Sequence, residues 1–98
     1  MELNVLNISC VSQVALLGSV TPNLRAVNVQ FSEKQIVMHF YYNENYSEIE
    51  DEKAEMVGSE LISSFTDCML EIEKHIYPYP GKIPVRGIFV YHRYEPLP

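Results

Sequence analysis

The stretch LRAVNVQFSEKQIVMHFYY, residues 24–42, decides the fold because apolar and polar residues alternate along both of its halves. Such alternation is typical of strands that bury one face. In the second half, Ile36, Met38 and Phe40 share one face. Tyr42 continues that face, so we expect its ring to point into the core. Only the three residues SEK separate the halves, which predicts an antiparallel hairpin.

A helix is predicted before this hairpin. Apolar residues recur there at helical spacing: Leu6, Cys10, Val14 and Leu17. Asn4 or Asn7 can cap the start of the helix, and Gly18 can end it. We therefore expect an amphipathic helix that buries this apolar stripe.

A second helix is predicted after the hairpin, from SEIEDEKAEMV, residues 47–57. Ser47 and Glu50 have the spacing of a capping box, in which each side chain bonds a free backbone N–H. A buried stripe follows at helical spacing: Ala54, Val57 or Gly58, Leu61 and Phe65. Carboxylates in the first turn suit the positive end of the helix dipole. Glu48 and Glu52, however, form a like-charge i,i+4 pair that costs about 0.2–0.5 kcal/mol. A purely structural helix would alternate its charges.

Two further strands are predicted from MLEIEKHIY, residues 69–77, and RGIFVYHRY, residues 86–94. Both faces of the last strand are apolar, with Phe89 and Tyr91 opposite Val90, which favours a central position in the sheet. The predicted fold is a single α+β domain over residues 1–98. Its two layers are two helices and an antiparallel four-stranded sheet, in the order α-β-β-α-β-β.

Negative charge is concentrated in one segment of the chain. Residues 44–60 contain seven acids and a single base, Lys53, so this segment alone carries the net charge of −6. The remaining acids and bases cancel. This distribution argues against nucleic acid as a partner, because phosphate binding needs clustered Lys and Arg. The acidic segment favours a basic protein partner, with a merely solvated helix as the alternative.

The sequence shows no pattern typical of a signal peptide or of a membrane-spanning helix. The first 18 residues lack a signal-peptide pattern, and no stretch approaches the roughly 20 apolar residues of a membrane helix. Two cysteines, Cys10 and Cys68, are too few for a disulfide framework. These observations predict a cytoplasmic protein with no membrane contact.

No catalytic or cofactor motif is found, so the sequence predicts neither an enzyme nor a cofactor. Nucleophile elbows and glycine-rich phosphate loops are absent. The histidines His39, His75 and His92 all lie on predicted strands. We expect them to be separate and predict no metal site. The open alternative is that they meet on one sheet face as a metal or catalytic cluster.

Four features together resemble the immunity proteins of contact-dependent growth inhibition systems over roughly residues 16–95. These features are LLGSVTPNLRAVNVQF, IVMHFYYNEN, the acidic helix and YPYPGKIPVRGIFVYHRYE. The resemblance implies a cytoplasmic protein that binds the C-terminal domain of a cognate toxin and blocks it. Many such toxins are nucleases, whose basic clefts hold RNA or DNA. An acidic helix could fill such a cleft in place of phosphates.

The predicted contact residues lie in the acidic segment and beside it. The acids are Glu44, Glu48, Asp51, Glu52 and Glu55, and the aromatic anchors are Tyr41 and Tyr46. Tyrosine is enriched at protein interfaces. Arg25 and Arg93 are further candidates. The alternative function is a non-catalytic structural or regulatory domain that forms homodimers, for example through the edge of MLEIEKHIY. The oligomeric state, monomer or homodimer, stays open.

Overall fold

The predicted order of elements is confirmed by a computed structural model, which describes residues 1–97. The elements are α1 Val5–Leu16, β1 Leu24–Ser32, β2 Gln35–Tyr42, α2 Glu48–Ser63, β3 Met69–Ile76 and β4 Ile88–His92. Asn4 caps α1, since its side chain accepts a hydrogen bond from the backbone N–H of Asn7. Gly18 follows α1 with a φ of 78°, as the predicted stop requires.

The four strands form one mixed sheet in the order β3-β2-β1-β4. β1 pairs antiparallel with β2 and with β4, but β2 and β3 pair in parallel. The prediction of an all-antiparallel sheet is therefore wrong. The reason is that α2 connects β2 to β3 as a crossover and returns the chain to the end from which β2 started. A strand that follows such a crossover beside its predecessor runs parallel to it.

β4 lies at an edge of the sheet and not at its centre as expected. A register shift between Val27 and Asn28 leaves one extra residue in β4. Tyr91 consequently packs against the same core as Val90, although strict alternation placed the two on opposite faces. The irregularity thus moves Tyr91 to the core face, while Phe89 stays on the outer face opposite Asn28.

The main core lies between the two helices and one face of the sheet. β1 and β2 contribute their predicted faces, including the rings of Phe40 and Tyr42. The stripe predicted for α2 is also confirmed: Ala54, Val57, Gly58, Leu61 and Phe65 are all buried. This core fixes α2 with its acidic surface turned outward.

α1 buries the face opposite to the predicted one. Its buried residues are Ile8, Ser12, Ala15 and Leu16. Leu6 and Leu17 of the predicted stripe are 71% and 77% exposed, and Cys10 and Val14 are exposed as well. Both faces of α1 carry apolar residues at helical spacing, so periodicity alone does not choose between them. The small side chains of Ser12 and Ala15 leave room for α1 to pack closely on α2 and β4.

The outer face of the sheet is partly covered by residues 77–87. Ile83 of this segment packs with Ala26 and Tyr41 in a second, small cluster. The segment is also held by Asn28, whose Nδ2 donates to the carbonyl oxygen of Pro84 at 2.9 Å. The segment leaves the outer face of β3 partly open, which exposes polar groups described below.

Candidate binding surface

The start of α2 is held by the predicted capping box. Ser47 Oγ accepts from the backbone N–H of Glu50 at 3.1 Å, and Glu50 Oε1 accepts from the backbone N–H of Ser47 at 3.0 Å. Glu50 also accepts a hydrogen bond from Thr21 Oγ1. Burial alone would raise the pKa of Glu50, but the bonds from Thr21, Ser47 and Asn23 outweigh it and lower that pKa. Glu50 therefore stabilises the fold.

Two of the predicted contact acids are paired within the molecule. Lys74 Nζ of β3 lies 2.6 Å from Asp51 Oδ1 and 2.6 Å from Glu55 Oε2. Burial would lower the pKa of Lys74, but these two hydrogen bonds outweigh it and raise that pKa. Because both acids are about half exposed, each pair contributes about 0–1 kcal/mol. Asp51 and Glu55 lie on the expected surface, but Lys74 offsets part of their charge.

Glu44, Glu48 and Glu52 are the freest of the predicted acids. All three are exposed. Within residues 1–97, their carboxylates form no hydrogen bond or ion pair. Glu48 and Glu52 are one turn apart on the outer face of α2, and Glu44 lies in the loop just before the helix. The structure thus places a patch of unpaired negative charge at the start of α2.

The two predicted aromatic anchors lie in different places. Tyr46 is half-buried beside the acids, and its ring packs on Tyr42 with 5.0 Å between centroids. Tyr41 is fully buried, at 0% exposure, on the other face of the sheet. Its hydroxyl donates to Asn28 Oδ1 at 3.1 Å. Tyr41 is therefore not part of the acidic surface.

Arg25 and Arg93 also have structural partners. Arg25 is buried, and its guanidinium donates to both carboxylate oxygens of Glu95 at 2.7 and 2.8 Å. Arg93 donates to Glu95 at 2.9 Å and to the carbonyl oxygen of Pro22 at 2.8 Å. These contacts tie the C-terminal residues to β1.

Large apolar side chains are exposed beside the acids, which the sequence analysis did not anticipate. On α2, Ile49 and Met56 are 64% and 67% exposed. Met56 lines a shallow groove between the helices together with Val14 of α1 and Leu17, which follows α1. Exposed apolar patches of this kind mark interaction sites. The second apolar stripe on α1 could have predicted the α1 part of this patch, because a helix with two apolar faces leaves one of them exposed when the other is buried.

A cluster of titratable side chains lies on the outer face of the sheet, where β2 and β3 meet. His39 Nδ1 is 3.0 Å from His75 Nε2, and Glu73 Oε1 is 3.7 Å from the former and 3.6 Å from the latter. The expectation of separate histidines is wrong for this pair. The parallel register, which the sequence analysis missed, places His39 opposite Glu73 and Tyr41 opposite His75. His92 is apart, on β4.

Burial lowers the pKa of both clustered histidines. For His39, the charge of Glu73 partly counteracts burial. For His75, the Arg86 guanidinium adds to the effect of burial, while Glu73 opposes it. Both rings therefore favour the neutral form, in which one ring nitrogen carries a lone pair.

A comparison with protein-family models decides the family. Residues 6–95 match the MafI2 immunity protein model. The chain belongs to the MafI2 immunity protein family. The MafI2 match supports a bacterial immunity role and implies a cognate toxin as the partner. The narrower type, contact-dependent growth inhibition, stays a prediction. Among curated proteins, none matches the chain. Within residues 1–97, no helix is both long and apolar enough to cross a membrane.

Proposed function

We propose that this protein neutralises a cognate toxin domain by binding it through the outer surface of α2. The observation that carries the proposal is that unpaired carboxylates and large exposed apolar side chains share this surface. Family membership supports the immunity role. The proposed role is that of a non-catalytic, cytoplasmic protein that acts by stoichiometric binding.

Electrostatic complementarity is the first support for this surface. Glu44, Glu48 and Glu52 are exposed and unpaired among the described residues, so their charge is available to a basic partner. A C-terminal toxin domain that cleaves RNA or DNA needs a basic cleft. Carboxylates on α2 can take the place of phosphates in that cleft. Complementary charge also accelerates association.

Apolar contacts are the second support. Protein interfaces gain most of their binding energy from a few desolvated apolar and aromatic side chains, which polar groups surround. Ile49 and Met56 are exposed next to Glu48 and Glu52 along α2. Tyr46 adds a half-buried ring at the start of the helix. Acidic and apolar side chains therefore alternate along one outer face of α2.

Charge reversal tests the proposal. We expect Glu48→Lys combined with Glu52→Lys to slow association with the toxin domain encoded next to this chain by roughly tenfold at low salt. The matched control is Asp67→Lys combined with Glu71→Lys. Both control residues are exposed and lie outside the α2 surface, so net charge changes equally. Stopped-flow kinetics at several salt concentrations gives the rates.

The two double variants together separate local from overall charge. If the control slows association as much as the α2 variant, net charge acts and the proposed surface is wrong. If neither variant changes the association rate or its salt dependence, the carboxylates of Glu48 and Glu52 do not contribute to toxin binding. Circular dichroism of each variant checks that α2 remains folded.

Self-association is a second candidate, and the position of β3 favours it. β3 is an edge strand, and its Met69 and Ile76 are exposed. An open edge offers unpaired backbone groups to a second copy. We expect a homodimer in light scattering if β3 pairs with the β3 of a second copy, and we expect Ile76→Lys to yield monomers. A monomeric wild-type chain would remove this candidate.

A further inference from the structure

The histidine cluster on the outer sheet face has an arrangement that the proposed toxin-binding role does not use. It lies on the face of the sheet opposite to α2, around His39, Glu73 and His75. We propose that these three residues form a binding site for a divalent first-row transition metal ion, and that Zn²⁺ is an ion it accepts. The inference rests on the geometry of the cluster and is independent of the proposed function.

The three nearest ligand atoms are close enough together for one ion to contact all of them. His39 Nδ1, His75 Nε2 and Glu73 Oε1 form a triangle with sides of 3.0, 3.6 and 3.7 Å. A point equidistant from all three lies about 2.0 Å from each, close to the usual Zn–N and Zn–O distances of about 2.0–2.2 Å. Two imidazoles and one carboxylate are also a ligand set that zinc and ferrous iron both use.

A hydrogen bond to Gln30 orients the His39 ring for this role. Its Nε2 lies 2.7 Å from Gln30 Oε1, an acceptor, so Nε2 carries the proton. In the neutral ring, Nδ1 then presents a lone pair toward His75 and Glu73. Metal-binding histidines typically donate their other ring N–H to such an oxygen. Gln30 is therefore a positioning residue.

His75 Nε2 is an acceptor for which Arg86 and a cation would compete. Arg86 Nη1, which can only donate, lies 3.3 Å from His75 Nε2, so this nitrogen also acts as an acceptor. Two acceptor nitrogens, His39 Nδ1 and His75 Nε2, thus face each other at 3.0 Å. A metal ion between them and Glu73 would bind the unpaired lone pair of His39 Nδ1 and would take the place of Arg86 at His75 Nε2. A shared proton is the rival explanation.

The strands position the ligands without loops. Glu73 and His75 are two residues apart on β3 and project from the same face, while His39 is on the neighbouring β2. An ion here would link the edge strand β3 to β2. We therefore expect bound metal to stabilise the whole fold, because it binds the native arrangement only.

Removing the charge of Arg86 is expected to raise the metal affinity, whereas changing a ligand is expected to lower it. The Arg86 guanidinium lies beside His75 and repels a second cation. Replacing Arg86 by Gln should therefore strengthen metal binding. A hydrogen-bonded histidine pair without a metal role predicts neither effect.

The experiment is titration calorimetry of Zn²⁺ into the metal-free full chain. We expect one saturable site, with binding weakened tenfold or more by Glu73→Gln and by His75→Ala. Gln30→Ala should weaken it by about 10–100-fold, the usual effect of removing a group that hydrogen-bonds a metal ligand. Arg86→Gln should bind more tightly. His92→Ala is the matched control, because it removes an exposed histidine on the far edge of the sheet.

Spectroscopy and stability give independent readouts. Co²⁺ should produce the visible absorption of a bound, low-symmetry site, and Zn²⁺ should raise the melting temperature until a chelator is added. Circular dichroism shows whether each variant folds, and Glu73→Gln preserves side-chain shape if His75→Ala does not fold. The inference is overturned if the wild type shows no saturable Zn²⁺ binding. It is equally overturned if Glu73→Gln binds like the wild type, or if His92→Ala alone abolishes binding.

Discussion

Ser12 shows at the scale of one residue how a buried polar atom reduces stability. Its Oγ is buried on α1 and, among the described residues, has no hydrogen-bond partner. An unsatisfied buried hydroxyl costs about 1–3 kcal/mol. We expect Ser12→Ala to raise the free energy of unfolding by about 1 kcal/mol, measured by urea denaturation. Ser9→Ala is the control, since it changes helix propensity equally at a partly exposed position of α1. Equal gains in both variants would contradict the explanation.

Glu95 makes stability depend on pH at the acidic end. Its hydrogen bonds with Arg25 lower the pKa of Glu95 from 4.5 to about 2. Burial opposes this shift, and the hydrogen bond and charge of Arg93 add to it. A lowered folded-state pKa means that the pairing stabilises the protein above pH 4.5, and that this stabilisation is lost as the pH falls toward 2. We expect the loss to be roughly 1–3 kcal/mol after solvent screening.

Urea denaturation at pH 7, 5, 4 and 3 measures this dependence. Glu95→Gln should be less stable than the wild type at pH 7, because Arg25 loses its charged partner, and the gap should narrow as the pH falls. Glu71→Gln, at an exposed position, should keep the wild-type dependence. A constant gap between Glu95→Gln and the wild type would show that the ion pair does not titrate in this range.

At the scale of secondary-structure elements, Gly87 controls how β4 joins β1. Its φ is 83°, and a Cβ there would lie 2.0 Å from the carbonyl oxygen of Val29. We expect Gly87→Ala to destabilise the fold by roughly 2 kcal/mol or more. Gly18→Ala is the matched control, since its φ is 78° but no atom lies within 4 Å of the added Cβ. It should cost only the backbone strain, about 1 kcal/mol. Equal losses in thermal denaturation would exclude the steric contribution.

At the scale of the whole molecule, the net charge of −6 acts through its position. Lys74 partly neutralises Asp51 and Glu55. On the proposed function, Lys74→Gln should speed association with a basic toxin domain by roughly two- to fivefold at low salt. It should also slightly destabilise the contact of α2 with β3. Lys82→Gln changes net charge equally at an exposed position of the 77–87 segment. If it has the same kinetic effect, the position of the charge does not matter.

Features that depend on residues close together in the sequence were predicted, whereas features that depend on contacts between distant residues were not. The core faces of β1 and β2, the capping box of Ser47 and the buried stripe of α2 depend on neighbours within a few residues, and all three were predicted correctly. The prediction that β1 and β2 bury one face only is wrong, because Ala26 and Tyr41 on the outer face are buried against Ile83. The acidic patch was predicted from the number of acidic residues in residues 44–60. Its pairing with Lys74 was not, because Lys74 reaches α2 only once β3 has packed beside β2.

The amino-acid sequence by itself thus determined the order of helices and strands and the location of the negative charge, because local spacing and capping control both. Only the tertiary structure decided the parallel direction of β3, the face that α1 buries and the meeting of His39 with His75. Each of these depends on which surfaces pack together across long stretches of chain. Packing alone decides which of the two apolar faces of α1 is buried. It also decides the direction of β3, because the pattern of its residues fits a parallel and an antiparallel strand equally well.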